Sequence, residues 1–208
     1  MVDLSLLASL VGFAVISSIT PGPNNLMLMS SAALYGWRRT VPHVAGVLLG
    51  FALLMTCAVY GLGAVVARWP WLVMVVKFAG ASWLAWMAWL YARAAIRIAS
   101  GRRYPDYIRI SRPLTFHEGL LFQWANPKAL LLAISSAAAY VGLAESPHLR
   151  ALLIVGVFFL IGGPCVITWM AAGDVLRQLM ATGRHAATIN ALMGSLILAT
   201  AVMILAAA

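Results

Sequence analysis

The sequence predicts an all-α polytopic membrane protein, with six transmembrane helices forming two inverted three-helix repeats and breaks in helices 1 and 4. Three observations lead there. Hydrophobic residues make up 63% of the chain and charged residues 9%, against about 25% charged in a soluble domain. Apolar runs recur at roughly the 20 residues that a helix needs to cross about 30 Å of hydrocarbon. Two of those runs are interrupted by proline, at Pro23 and Pro127.

The spans are expected at residues 4–35, 41–67, 70–92, 117–141, 150–172 and 185–207. Inside a bilayer each must satisfy its own backbone, which makes each a helix. Met1-Val2-Asp3 lacks the basic start of a secretory signal, and the first apolar run is long for a signal core, so it is expected to be retained.

Span 1 contains Thr20-Pro21-Gly22-Pro23-Asn24-Asn25. Pro21 and Pro23 lack amide donors and clash with the preceding turn, and Gly22 adds backbone freedom. The run of 32 residues would extend about 48 Å as one straight helix and overshoot the hydrocarbon. A break near Pro21 resolves the excess. It leaves carbonyls free before it and the amides of Asn24 and Asn25 free after it, and such helix ends attract charge.

Span 2 carries Gly46 and Gly50, a small-xxx-small pair that serves either packing within the chain or association of two copies as a homo-oligomer. Span 3 carries Lys77, eight residues after Trp69. Snorkelling toward water is its favoured reading and a coupling role the alternative. Trp37, Trp69 and Trp71 fall at expected interfaces, while Trp83, Trp86 and Trp89 lie along span 3 as core or lipid contacts.

The only long polar connection, residues 93–116, divides a single transporter domain into halves of about 1–95 and 114–208. Ten arginines flank or occupy the connections after spans 1, 3 and 5, among them Arg93, Arg97, Arg102, Arg103, Arg109 and Arg112, against Arg68 and Arg150 on the opposite side. This bias places the arginine-rich loop in the cytoplasm and both termini outside. The formal net charge of +9 therefore reports orientation and contact with membrane lipid, and nucleic-acid binding is not expected.

Span 4 contains Gln123-Trp124-Ala125-Asn126-Pro127-Lys128, a second break followed directly by a cation. An ammonium at a helix centre costs about 2.5–3.5 kcal/mol on insertion scales, so Lys128 needs a partner. Glu118, near the cytoplasmic end of this span, is read first as a helix-start carboxylate and second as a proton-coupling group. Spans 5 and 6 add Cys165 and few polar groups. Cys57 and Cys165 both read as packed apolar thiols.

The two halves share a pattern. Pro23 and Pro127 are 104 residues apart, and each precedes similar text: Ser30-Ser31-Ala32-Ala33-Leu34-Tyr35 and Ser135-Ser136-Ala137-Ala138-Ala139-Tyr140. Three crossings per half invert the second half relative to the first. Inverted repeats with corresponding helix breaks are the arrangement that secondary transporters use around a central site. The expected substrate-binding residues are Pro21, Gly22, Pro23, Asn24, Asn25, Asn126, Pro127 and Lys128, with Glu118 and Lys77 as coupling candidates. A small amino acid, carrying one carboxylate and one ammonium, suits opposed helix ends of this composition.

Two other classes make different demands of the same residues. A membrane enzyme would need a Ser–His pair, paired carboxylates or a metal cluster, whereas His43, His117, His148 and His185 are scattered without ligand spacing. No catalytic residue, metal or cofactor is expected. A structural or assembly factor would use the glycine faces, and in that case Asn24→Ala and Lys128→Met would alter complex recovery.

Thr20-Pro21-Gly22-Pro23-Asn24, the turn Gly36-Trp37-Arg38-Arg39 leading to Gly46 and Gly50, and Asn126-Pro127-Lys128 together resemble the lysine exporter/RhtB superfamily, the LysE-family translocators. The resemblance covers nearly the whole chain. It implies efflux of amino acids or derivatives such as lysine, homoserine, threonine or leucine across a bacterial inner membrane, energised by the proton gradient. It does not carry the identity of the substrate.

Overall fold

The computed structural model describes residues 1–100, 112–181 and 186–206. These are almost entirely helical, and no strand forms among them beyond an isolated bridge between Val2 and Ala144. Helix α1 spans Leu4–Ile19 and opens on Asp3, whose carboxylate accepts from the amides of Ser5 and Leu6, both at 2.9 Å. A cap of this kind satisfies donors that the first helical turn leaves orphaned.

Helix α2, Pro23–Tyr35, starts with Gly22 as its cap and Pro23 in the first turn, where a missing amide costs nothing. It is bent by 48° from α1. Gly36 ends α2 at φ 83, ψ 159 and begins α3, Trp37–Cys57. That backbone region is open essentially to glycine alone, so the sharp reversal depends on Gly36. A π-type turn at Ala58–Leu62 and α4, Gly63–Arg68, complete the second segment. Next come α5, Trp71–Ala99; α6, Phe116–Ala125; α7, Pro127–Ala139; α8, Pro147–Ala181; and α9, Ala186–Ala206.

Several boundaries differ from expectation. Helix α5 continues through Ala99, so Arg93 and Arg97 ride on its last turns instead of lying in the loop. Cations are tolerated there because they face the negative end of the helix dipole and can reach water. Helix α3 starts at Trp37 and includes Arg38 and Arg39, while α8 runs from Pro147 to Ala181. Arg102, Arg103, Arg109, Arg184, His185 and Ala207 lie outside the described residues.

The surface is apolar: Ile16, Phe78, Trp86, Leu160 and Met203 are all exposed. Such a continuous greasy exterior suits hydrocarbon, not water. By length and composition, two helical segments among the described residues can cross a membrane, Trp37–Arg68 and Pro147–Gln178. The bent pair α1 and α2 makes a third if it counts as one span.

Contacts at the two ends of the bundle show which loops lie together. At one end the Asp3 amide donates to the Leu143 carbonyl at 3.0 Å, the N-terminal ammonium lies 3.4 Å from Glu145, and Tyr60 bonds His148. The other end holds the Gly36 turn, where the Trp37 amide donates to Asp174 at 3.3 Å and Arg177 pairs with Asp174 at 2.9 Å.

Three pairings build the interior: α3 against α6, α8 against α1 and α2, and α5 against α9. Glycines make the first two close. A β-carbon on Gly46 would strike the Phe116 carbonyl, one on Gly50 would strike Leu120, and one on Gly173 would strike the Met29 carbonyl. Gly46 and Gly50 are thus engaged inside the chain, which resolves the choice that the sequence left open for them.

Candidate functional site

The two breaks meet. At the first, α1 ends at Ile19 with carbonyls that no helix can satisfy. Asn25, in the first turn of α2, folds back so that its Nδ2 donates to the carbonyls of Ser18 at 3.0 Å and Thr20 at 3.2 Å. Lys128 reaches across from α7, and its Nζ donates to the same Thr20 carbonyl at 2.8 Å. The negative end of α1 is the partner that offsets much of the cost of placing this ammonium in the bilayer.

At the second break, the Asn126 side chain caps α7 by accepting from the Lys128 amide at 3.1 Å. Pro127 occupies the first helical position, as Pro23 does in α2, and both helices contain 13 residues. Asn126 is 2% exposed and Gln123 fully buried. Gln123 and Asn24 exchange two bonds: Asn24 Nδ2 donates to Gln123 Oε1 at 2.6 Å, and Gln123 Nε2 donates to Asn24 Oδ1 at 3.0 Å. This reciprocal amide pair joins the break between α1 and α2 to the break between α6 and α7.

A cavity of about 80 Å³ opens between the breaks, several times the roughly 10–15 Å³ that admits one water. Gly22, Asn24, Asn25, Asn126 and Lys128 line it together with the hydroxyl residues Ser17 and Ser18. Its apolar wall includes Phe51 and Phe158, whose rings meet edge to face with centroids 5.5 Å apart. Lys128 lies over Gly22: a β-carbon there would be 2.8 Å from Cδ of Lys128 and 3.0 Å from its Nζ, so a larger residue would displace the end of the lysine side chain.

Of the residues expected at the site, Gly22, Asn24, Asn25, Asn126 and Lys128 converge on this cavity. Pro21, Pro23 and Pro127 shape the breaks without lining it. Lys77 is half-buried on α5 and lines neither this cavity nor the second one. Glu118 sits in the first turn of α6, where it forms a capping box with Thr115 and a two-point bond to Arg112 at 2.7 and 2.8 Å. That hydrogen bond, and secondarily the carboxylate's charge, raises the Arg112 guanidinium above its ordinary value. Glu118 instead borders a second cavity of about 430 Å³ between α2, α5, α6 and α9, next to Tyr91, Arg112 and Asn190.

Sequence reasoning missed Gln123, Ser17, Ser18, Phe51 and Phe158. A readable signal existed for Gln123, an amide in an apolar run one turn before a proline break. The aromatic wall gave none, because Phe51 and Phe158 look like any other apolar positions until α3 and α8 are packed.

An all-helical chain with an apolar exterior, and with buried polar groups gathered where two helices break, has the construction of a membrane translocator. The LysE type translocator family matches residues 15–207, and the chain belongs to that family. It is a membrane transporter and not an enzyme. The chain is similar to the cysteine/O-acetylserine efflux protein of Escherichia coli (strain K12), at 30% identity over 84% of this chain and 86% of the relative. The protein of the same description from Shigella sonnei (strain Ss046) matches with the same identity and coverage. No solved structure matches the chain.

Proposed function

We propose that this protein exports small neutral amino acids or close derivatives from the bacterial cytoplasm by alternating access, driven by the proton gradient. The observation that carries this reading is the ammonium of Lys128, held between the two breaks at the polar side of a cavity shared with Ser17, Ser18, Asn24 and Asn25. An ammonium has three donors, so Lys128 can keep Thr20 and still receive a substrate carboxylate. The amides that open α2 after Pro23 add a second anion-favouring group. The substrate ammonium is matched by the Ser17 and Ser18 hydroxyls and by amide oxygens.

The rest of the cavity argues for a short, uncharged side chain. Val47, Phe51, Leu132 and Phe158 are apolar, and among the described lining residues there is no carboxylate. A lysine or arginine substrate would bring a second cation beside Lys128 with nothing to neutralise it. The similarity to cysteine/O-acetylserine efflux proteins agrees with a short polar substrate.

The threading proposed is six crossings, three per half, with halves of about 1–95 and 114–208 and both termini outside. The grouping of contacts supports it. The N-terminus lies with the loops around Tyr60 and Glu145, while the Gly36 turn lies with Asp174, as alternating crossings require. The pairings support it as well: α3 of the first half packs on broken α6, α8 of the second half packs on broken α1 and α2, and α5 meets α9.

Purified protein in liposomes preloaded with an unlabelled amino acid tests the function. Labelled serine, cysteine, O-acetylserine and threonine are expected to exchange at least about tenfold faster than lysine or glutamate, the ratio that 1.4 kcal/mol of unmatched charge produces. Equal rates for lysine, or no exchange with any member of the panel, would contradict the reading.

A further inference from the structure

The seam between the halves contains an ionisable group that the binding site does not use. His43, on α3, is fully buried, and neither Nδ1 nor Nε2 has a hydrogen-bond partner. Leaving a buried polar group unpaired is costly, so its presence calls for an explanation. The imidazole packs against α6: a β-carbon on Gly119 would lie 2.9 Å from its Cδ2 and 2.8 Å from the His43 carbonyl oxygen. This is the glycine seam of Gly46, Gly50 and Gly119, where the first half touches the second backbone to backbone.

The seam leads directly to the breaks. The Gly119 carbonyl accepts from Gln123 Nε2 at 3.0 Å, and Gln123 holds Asn24. Helix α3 itself carries the exposed Arg38 and Arg39 at its start, about one turn before His43, and the other charged neighbours are few. Helix α6 brings His117 and Glu118, and Glu118 is clamped by Arg112 and Thr115. Helix α8 brings Asp174 and Arg177, which bind each other near Trp37. Helix α2 carries no charged side chain, and α7 carries Lys128 at Thr20. Thr40, one turn before His43, contacts the Ser31 hydroxyl and donates to Gly36.

We infer that His43 is the proton carrier that couples transport to the proton gradient, a role that rests on the exporter reading above. Imidazole is the side chain whose ordinary titration falls between pH 5 and 8. Its neutral form, with one N–H and one lone pair, fits the closed, dry seam, whereas an imidazolium there is unsolvated. In the outward-facing carrier without substrate, outside water fills the chamber between the breaks, whose wall reaches Val47 one turn from His43, and the lone pair takes a proton from that side. The new cation favours parting of α3 from α6 toward the cytoplasm, where the proton returns to water and substrate enters. The neutral seam then closes around the loaded site. Charge at one residue thus biases a two-state contact between the halves. The substrate-loaded carrier reorients with His43 neutral, so exchange of substrate for substrate needs no proton.

The test compares two fluxes in proteoliposomes: serine exchange at equal pH, and serine accumulation driven by an imposed pH gradient. For His43→Gln, exchange is expected within about threefold of wild type while gradient-driven accumulation falls at least about tenfold. His43→Asn, a smaller amide, is expected to behave alike. Gradient-driven accumulation that survives in either variant overturns the role. Loss of both fluxes in both variants also overturns it, since it would show that the ring serves packing. Wild-type protein that exchanges serine but ignores the pH gradient overturns the coupling and leaves the exporter reading intact. Wild-type protein that exchanges no neutral amino acid overturns the exporter reading, and this role with it.

Discussion

Lys128→Met is expected to reduce serine flux by about two orders of magnitude while leaving the yield of folded protein unchanged. A hydrogen bond to a charged group contributes about 1.5–3 kcal/mol, and each 1.4 kcal/mol is a tenfold change. Losing the ammonium therefore removes about 10- to 150-fold of carboxylate recognition. Folding is spared for two reasons. Methionine carries no insertion penalty, whereas lysine carries about 2.5–3.5 kcal/mol at a helix centre. The Thr20 carbonyl also keeps a donor, because Asn25 already bonds it at 3.2 Å. Flux assays beside size-exclusion profiles in detergent separate the two effects. Wild-type flux in the variant would remove Lys128 from the site.

The second large effect is structural. Gly46→Ala and Gly50→Ala are each expected to lower thermal stability sharply or prevent recovery of folded protein. A single methyl suffices, because it meets backbone: the Phe116 carbonyl for Gly46 and Leu120 for Gly50. Backbone cannot rotate aside as a flexible side chain does, so α3 and α6 must separate. Overpacking typically costs about 1–3 kcal/mol, occasionally more. Gly12→Ala is the matched control, since nothing lies within 4 Å of its added carbon. There the better helix propensity of alanine is expected to leave stability unchanged or improve it by about 1 kcal/mol. Melting temperatures of the three variants check the contrast, and equal melting of all three would refute the tight seam.

The breaks were legible because they arise from local chemistry. Pro21, Gly22 and Pro23 fall in one short run and Pro127 follows Asn126, whereas Pro42 and Pro164, each without a second proline or an asparagine beside it, stay inside α3 and α8, and a lone Lys128 in an apolar run announces a need for a partner. Which partner could not be read. Thr20 lies 108 residues away, and its carbonyl is an acceptor only because the side chain of Lys128 reaches the end of α1. The pairing of Asn24 with Gln123 is hidden in the same way, since an amide pattern does not encode the helix it will face. His43 looked like one of four scattered histidines because burial and the absence of a partner are properties of the seam. Helix α5 runs past its expected end for another reason. Arginine has good helix propensity, so Arg93 and Arg97 mark the edge of the hydrocarbon without ending the helix.

The central claim is that water and substrate reach a chamber formed by the two interrupted helices. Substrate-protected labelling tests it most directly, using Ser18→Cys in a chain with Cys57 and Cys165 replaced by alanine. In native vesicles the new thiol is predicted to react with a small, water-soluble maleimide and to be shielded by serine or O-acetylserine but not by lysine. A thiol that stays inert to aqueous reagent, or that reacts equally with and without every amino acid tried, would contradict the account.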